Sequence, residues 1–191
     1  FGQSELTVSA AARTEQPVRL GADLSSGIGP FDLRVEGAAQ RGVRTPFWTG
    51  TFDPTTLAFP TEVDRRDDWL VQVVAGLEVA IRLSAETSVS VGVEGFHNGL
   101  GYEDASLLGW LFLNSQYVPL YVGRDYVGAY AFVAGPGTWD DQTFLASALV
   151  NVSDGSALGR FEWRGKALTW LEPNAYLQVH GGDNGELHYG I

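Results

Sequence analysis

Charged and aromatic side chains recur at every second position along much of this chain, and that spacing governs what they can do. Arg160, Glu162, Arg164 and Lys166 form one such series; Glu78, Arg82 and Glu94 belong to others, and Arg19, Asp23, Asp32, Arg34 and Glu36 lie upstream. Arg124, Tyr126, Tyr130 and Phe132 form a further one, in which rings beside a guanidinium can stack on a sugar or other planar solute. Alternate side chains share one face of a β-strand, so each series is a polar face. The functional reading is a selectivity surface for polar or charged solutes. The plainer reading is cross-strand ion pairs and aromatic packing that fill a narrow interior. Arg160, Arg164 and Lys166 make the best anion-attracting strip, although Glu162 sits within it.

Other chemistry finds little support. The three histidines, His97, His180 and His188, do not show His-Glu-x-x-His spacing, and no Gly-x-Ser-x-Gly is present. There is no cysteine, so disulfides and thiolate metal sites are excluded. Gly182-Asp183-Asn184-Gly185 has too few spaced oxygen ligands for calcium and reads as a hairpin turn instead. Asp64-Arg65-Arg66-Asp67-Asp68 reads as a solvated loop. No enzymatic activity, cofactor or metal is expected. A net charge of −11 with a single lysine repels nucleic-acid phosphates and rules out a polybasic membrane anchor.

The elements that must hold these faces are strands. From Trp69 to Leu83 every odd position is apolar, while the even positions carry Gln72, Glu78, Arg82 and Ser84 among smaller residues. Fifteen residues at about 3.3 Å each reach roughly 50 Å, well beyond the usual strand of about 5–6 residues. A tilted strand crosses a bilayer in about 9–11 residues. The same period predicts ten strands, at 5–13, 17–25, 30–42, 69–83, 87–99, 121–135, 142–153, 157–171, 174–181 and 186–191. Segment 142–153 is ambiguous because both of its faces are partly apolar, and no helical stripe of useful length is present.

The connections alternate in length. The long ones, about 43–68 and 100–120, are separated by two strands and the short turn Ser84-Ala85-Glu86, which places both at one end. Short turns at one end and long loops at the other characterise outer-membrane barrels. No run of 18 apolar residues is present, which argues against a membrane helix and not against a barrel. Charged residues are only 18% of the chain, below the roughly 25% of soluble domains. Of the six tryptophans (48, 69, 110, 139, 163 and 170), several lie near predicted strand ends, where an interfacial girdle needs them. Trp48 and Trp110 fall in the long loops and are better suited to packing there.

Leu120–Tyr130, Pro136–Asp141 and Asn151–Ser156 resemble hairpins of porin-like bacterial outer-membrane β-barrels, and the resemblance covers most of residues 69–191. It implies diffusion or transport through the outer membrane of a Gram-negative cell, and it supplies no catalytic residue. Such barrels end in a long strand closing on an aromatic residue, whereas this chain stops at Ile191. With no Met even at position 1, the chain reads as a processed form or a piece of a longer protein.

The expectation is therefore a single all-β domain over 1–191. It is an antiparallel up-and-down transmembrane β-barrel of about ten strands, or part of a larger barrel. It would sit in the bacterial outer membrane against lipid and lipopolysaccharide, with room for an oligomer or protein partner. Its role would be passage of small polar solutes, or a structural one, with Glu78, Arg82, Glu94, Arg124, Tyr126, Tyr130, Arg160, Glu162, Arg164 and Lys166 lining the lumen. The alternative is a soluble β-sandwich or jelly roll that binds carbohydrate through exposed Trp and Tyr. The two differ in what covers the apolar face: lipid in one, a second sheet in the other.

Overall fold

In the computed structural model, residues 4–189 are described, apart from 15, 138 and 184. The strands are β1 (Ser4–Ala11), β2 (Arg19–Ile28), β3 (Phe31–Arg41), β4 (Phe47–Thr49), β5 (Thr61–Val63), β6 (Trp69–Arg82) and β7 (Ser88–Asn98), followed by β8 (Asp125–Ala134), β9 (Gln142–Asn151), β10 (Ser156–Gly165) and β11 (Asn174–Gly182). A 3-10 turn (Ala105–Leu107) runs into helix α1 (Leu108–Leu113), and α2 (Glu186–Tyr189) follows β11.

Nine strands form one antiparallel meander in the order β1-β2-β3-β6-β7-β8-β9-β10-β11, with β4 and β5 a separate hairpin. β1 and β11 are not hydrogen-bonded to each other, so the sheet is not closed. The connections β2–β3, β6–β7, β8–β9 and β10–β11 lie at one end, here the turn end. Both long connections, β3–β6 and β7–β8, lie at the opposite loop end, as the strand count requires.

Local chemistry explains the turns. At β2–β3 only Gly29 and Pro30 intervene, and Gly29 takes φ +62°, open to glycine at little cost. At β6–β7 the Ser84 hydroxyl accepts from the backbone amides of Glu86 (3.3 Å) and Thr87 (3.0 Å). At β9–β10 the Asp154 carboxylate accepts from the amide of Ser156 at 2.9 Å.

Register divides the sheet into two unlike faces. Val93 lies opposite Leu77 and Ala129; Ala129 faces Ala148, and Ala148 faces Gly159, which faces Val179. In the other direction Leu77 faces Leu33, and Val35 two residues on faces Leu24, which faces Leu6. This apolar face continues across all nine strands, and among the described residues no other element packs on it. Leu77 is 38% exposed and Val93 49%. The other face carries most of the charged and hydroxyl side chains, together with Val74, Phe96, Phe132, Leu145, Leu149 and Leu158.

The cluster of buried apolar side chains is small and lies off the sheet, while Leu70 of β6 and Tyr126 of β8 are buried at the sheet's loop end. Leu107, Leu111 and Val122 are buried together, with Trp48, Tyr102, Leu108 and Tyr117 against them. The two long connections thus fold into one cap at the loop end.

Three expectations need correction. The main sheet has nine strands, and β4–β5 and α1 lie inside stretches expected as plain loops. The ambiguous stretch 142–153 is strand β9, while the strand expected over 157–171 stops at Gly165. The strand expected over 186–191 is helix α2 through Tyr189; residues 190–191 lie outside the described residues. Leu187, Tyr189 and Ile191 alternate as a strand would. Local side chains override that pattern. The Asp154 carboxylate accepts from the Glu186 amide at 2.7 Å and the Ser156 hydroxyl from the Leu187 amide at 3.2 Å. Both amides belong to the first turn of a helix, where donors lack partners of their own.

Candidate functional site

The polar face carries most of the residues singled out by sequence. Asp23 lies directly opposite Glu36, and Asp32 directly opposite Glu78. Glu94 lies opposite Gly76, next to Glu78 along that face, and Arg34 stands on β3 between Asp32 and Glu36. Like charges facing each other across strands repel, so this patch is held by the surrounding sheet and by hydrogen bonds. One is visible: the Tyr130 hydroxyl donates to Glu78 at 2.6 Å. Tyr130 lies opposite Gly92, and a Cβ there would fall within the Tyr130 ring. Gly92 is thus the space that lets the ring lie down toward Glu78.

On β10, Glu162 bonds Arg160 at 2.8 Å and Arg164 at 3.4 Å, and Asn174 donates to it at 3.0 Å. Arg160 also stacks over Tyr176, 4.5 Å from the ring centre. Glu162 thus pairs with both arginines and cancels one of their two charges. Lys166 lies beyond β10, its backbone amide donating to Asp141 at 2.9 Å. Arg82 closes β6 opposite Ser88.

Arg124 and Tyr126 do not form the stacking platform expected of them. Arg124 precedes β8 and pairs with Glu103 of the cap. Tyr126 is buried, stacks on Phe96 with ring centres 5.9 Å apart, and donates its hydroxyl to Glu186. That contact belongs to a polar centre which the period-2 reading missed.

Glu186 is 1% exposed. Its carboxylate accepts from the backbone amides of Tyr121 (3.0 Å), Val122 (3.1 Å) and Gly123 (3.3 Å), from the Asn151 side-chain amide (3.1 Å) and from Tyr126. Three successive amides aimed at one carboxylate form an anion-holding concavity. Asn98, fully buried, extends the network: its oxygen accepts from Gln72 at 2.8 Å and from the Leu100 amide at 3.1 Å, while its amide donates to the Tyr121 carbonyl at 2.8 Å. A Cβ on Gly123 would overlap the Asn151 side chain, so only glycine lets that strand entry approach. Gly123→Ala should therefore weaken the loop end, read as faster proteolysis within 99–124, with a thermal shift of several degrees.

The sequence signal for this centre was faint. Asn98, Asn151 and Ser156 are strand-end residues whose polarity alone marks a turn.

The cap joins the two long connections through aromatics. Trp48 meets Trp110 edge-on at 5.2 Å, Phe47 stacks on Tyr102 at 4.6 Å, and the Trp48 indole donates to Gln116 at 2.6 Å. Arg65 lies over Phe47 at 4.5 Å and donates to the Gly99 carbonyl at 3.1 Å. Burial pushes the phenols of Tyr102 and Tyr117 upward; for Tyr117 the nearby Glu186 and Asp154 carboxylates add to it.

In the β4–β5 connection, the hydroxyls of Thr55 and Thr56 and the amide of Thr55 hold the Asp53 carboxyl down to about 2. A depressed carboxyl supports its turn above the ordinary value of 3.8 and loses that support as pH falls through about 2. The Thr55 amide should stay protected from exchange at pH 4 and lose protection only near pH 2. Loss already at pH 4 would overturn this account of the turn.

His97 and Asp125 lie opposite each other on the apolar face at the loop end, 2.7 Å apart. The His180 and His188 rings are 5.8 Å apart. Among the described residues no group of three His, Cys, Asp or Glu side chains is placed to hold a metal ion. Among the described residues no helix is long and apolar enough to cross a membrane. Comparison with family models, curated proteins and solved structures finds no match to this chain.

Proposed function

We propose that this chain is the wall of a porin-like bacterial outer-membrane β-barrel, with the apolar face against lipid and the polar face lining a passage for small polar solutes. One observation carries the reading: a continuous apolar face that spans nine strands with none of the described residues packed on it, opposite a face that carries most of the charges. Along β6 that face runs unbroken from Trp69 to Ile81, thirteen residues, enough for a tilted strand to cross a bilayer, which takes about 9–11. The His97–Asp125 pair bounds it at the loop end, and Phe144 and Trp163, opposite each other, stand at the turn end. A sandwich needs a second sheet over this face, and the described residues supply none.

Unpaired strand edges are not tolerated in hydrocarbon, so the reading includes closure of the sheet. Nine consecutive antiparallel strands leave β1 and β11 pointing the same way. Closure then takes either a parallel β1–β11 seam or an odd number of intervening strands.

The direct test is reconstitution. The protein should float with phosphatidylethanolamine–phosphatidylglycerol vesicles, keep its β-sheet signal there, and resist protease except at the long loops. A monodisperse protein in detergent-free buffer that leaves vesicles unbound would overturn the proposal.

The polar face also sets an expected ion preference. Its strand residues include seven carboxylates (Glu5, Asp23, Asp32, Glu36, Glu78, Glu94, Glu162) against five guanidinium groups (Arg19, Arg34, Arg82, Arg160, Arg164). Glu162 cancels one of the two positive charges of Arg160 and Arg164, and over the whole face the balance of seven carboxylates against five guanidinium groups is acidic. Reversal potentials under a KCl gradient should show cation preference, reduced by Glu78→Gln with Glu94→Gln. Anion preference in the parent would show that the basic strip governs after all.

A further inference from the structure

Helix α2 sits on the polar face. Every side chain that holds it from the sheet (Tyr126, Asn151, Ser156 and His180) belongs to that face, and all but Tyr126 lie on β9–β11. It lies at the loop end, where Leu187 is fully buried. In the barrel proposed above the polar face lines the passage, so α2 stands inside it. We propose that α2 is a built-in stopper at the loop end of the passage and that the Glu186 carboxylate is its latch.

The character of the contacts distinguishes a latch from a permanent core. α2 is four residues long, and it buries the Leu187 side chain. Its other bonds are polar: Glu186 in the amide concavity of 121–123, the Glu186 amide on Asp154 at 2.7 Å, the Leu187 amide on Ser156 at 3.2 Å, and the Leu187 carbonyl beside His180 Nδ1 at 2.6 Å. When such a segment lifts, the carboxylate and the amides regain water together, so the net free energy of opening is far below the gross strength of the bonds. Apolar cores have no such exchange. Segments held this way belong to the low-stability end of a structure and open without global unfolding. Gly182, at φ +79°, ends β11 in a conformation that turns the chain back over the sheet. Removing the charge at Glu186 weakens the concavity on both sides: one carboxylate oxygen becomes a donor facing donors.

The chain has no cysteine, so any introduced thiol is unique. The experiment uses the protein in phosphatidylethanolamine–phosphatidylglycerol bilayers, with two readouts. The first is the rate at which Leu187→Cys reacts with a polar maleimide, compared with the exposed cap position Leu113→Cys. The second is ion conductance. Leu187→Cys should react far more slowly than Leu113→Cys. Adding Glu186→Gln should accelerate it about tenfold or more, since unsatisfied buried donors shift a local opening equilibrium by that order. Conductance should rise in Glu186→Gln without cysteine. If Glu186→Gln does not reconstitute, Asp154→Asn weakens the Glu186 amide bond, along with the bonds from the Ser156 amide and hydroxyl, leaves the Glu186 carboxylate in place, and should give a smaller acceleration of the same sign. Equal labelling at 187 and 113 in the parent would overturn the stopper. Labelling unchanged by either variant would overturn the latch. Accelerated labelling with no conductance in parent or variant would uphold the latch and overturn the passage on which the stopper's role rests.

Discussion

Val93→Arg should abolish insertion of the protein into vesicles, while Glu94→Arg, one residue along the same strand, should insert as well as the parent. The two positions lie at nearly the same depth in β7 and on opposite faces. Val93 sits in the middle of the apolar face, between Leu77 and Ala129, and is 49% exposed with nothing over it. An arginine on the lipid side near the bilayer midplane costs about 2–4 kcal/mol, a large part of the stability of a small domain. On the other face a guanidinium meets water and the carboxylates of Glu78 and its neighbours. Insertion is read by flotation and protease protection, and stability by urea unfolding in vesicles. Equal insertion of the two variants would mean that the apolar face does not meet lipid. Val93→Arg failing to fold even in detergent-free buffer, with Glu94→Arg soluble there, would point to a protein layer over that face.

The division of the sheet into two faces was legible because alternation is a local property. Trp69 to Leu83 alone announces it, and the parity of Glu78, Glu94, Tyr130, Arg160 and Glu162 places them on one face before any tertiary contact is known. Turn positions followed from Ser84-Ala85-Glu86 and Ser153–Ser156 for the same reason. What alternation cannot carry is pairing between distant residues. That Glu162 compensates Arg160 could be suspected from their spacing of two. That Glu186 enters a concavity made by residues 121–123 depends on the β8–β9–β10–β11 register and on the reversal after Gly182. The period-2 pattern of Leu187 and Tyr189 pointed to a strand, and long-range hydrogen bonds decided for a helix. The cap was half visible: Trp48 and Trp110 fall in the two long connections and suit packing there, yet nothing in the sequence says that the connections pack on each other.

The second large effect is expected at Asn98. It is the last residue of β7, fully buried, and all its side-chain capacity within reach is used: Gln72 and the Leu100 amide on its oxygen, the carbonyls of Tyr121 and Gly123 on its nitrogen at 2.8 and 3.4 Å. Its own backbone amide donates to the Arg124 carbonyl at 2.7 Å, so strand and loop base are joined twice at this residue. Asn98→Ala leaves the Leu100 amide and the Tyr121 carbonyl without those partners in a part-buried site. Each such group costs about 1–3 kcal/mol, so a loss of roughly 3 kcal/mol is expected in urea unfolding. Asn114→Ala is the control: it too removes a side-chain-to-carbonyl bond, to Trp110 at 2.9 Å, but at an exposed position, and should change stability by no more than about 0.5 kcal/mol. Because Tyr121 and Gly123 also hold Glu186, the Asn98 variant should loosen α2 as well as the loop. Trypsin should cut sooner at Arg124, and Leu187→Cys should label faster in the Asn98→Ala background than alone. A full loss of stability with neither local change would show that Asn98 supports the β6–β7 pair only, and that the loop base and α2 are held without it.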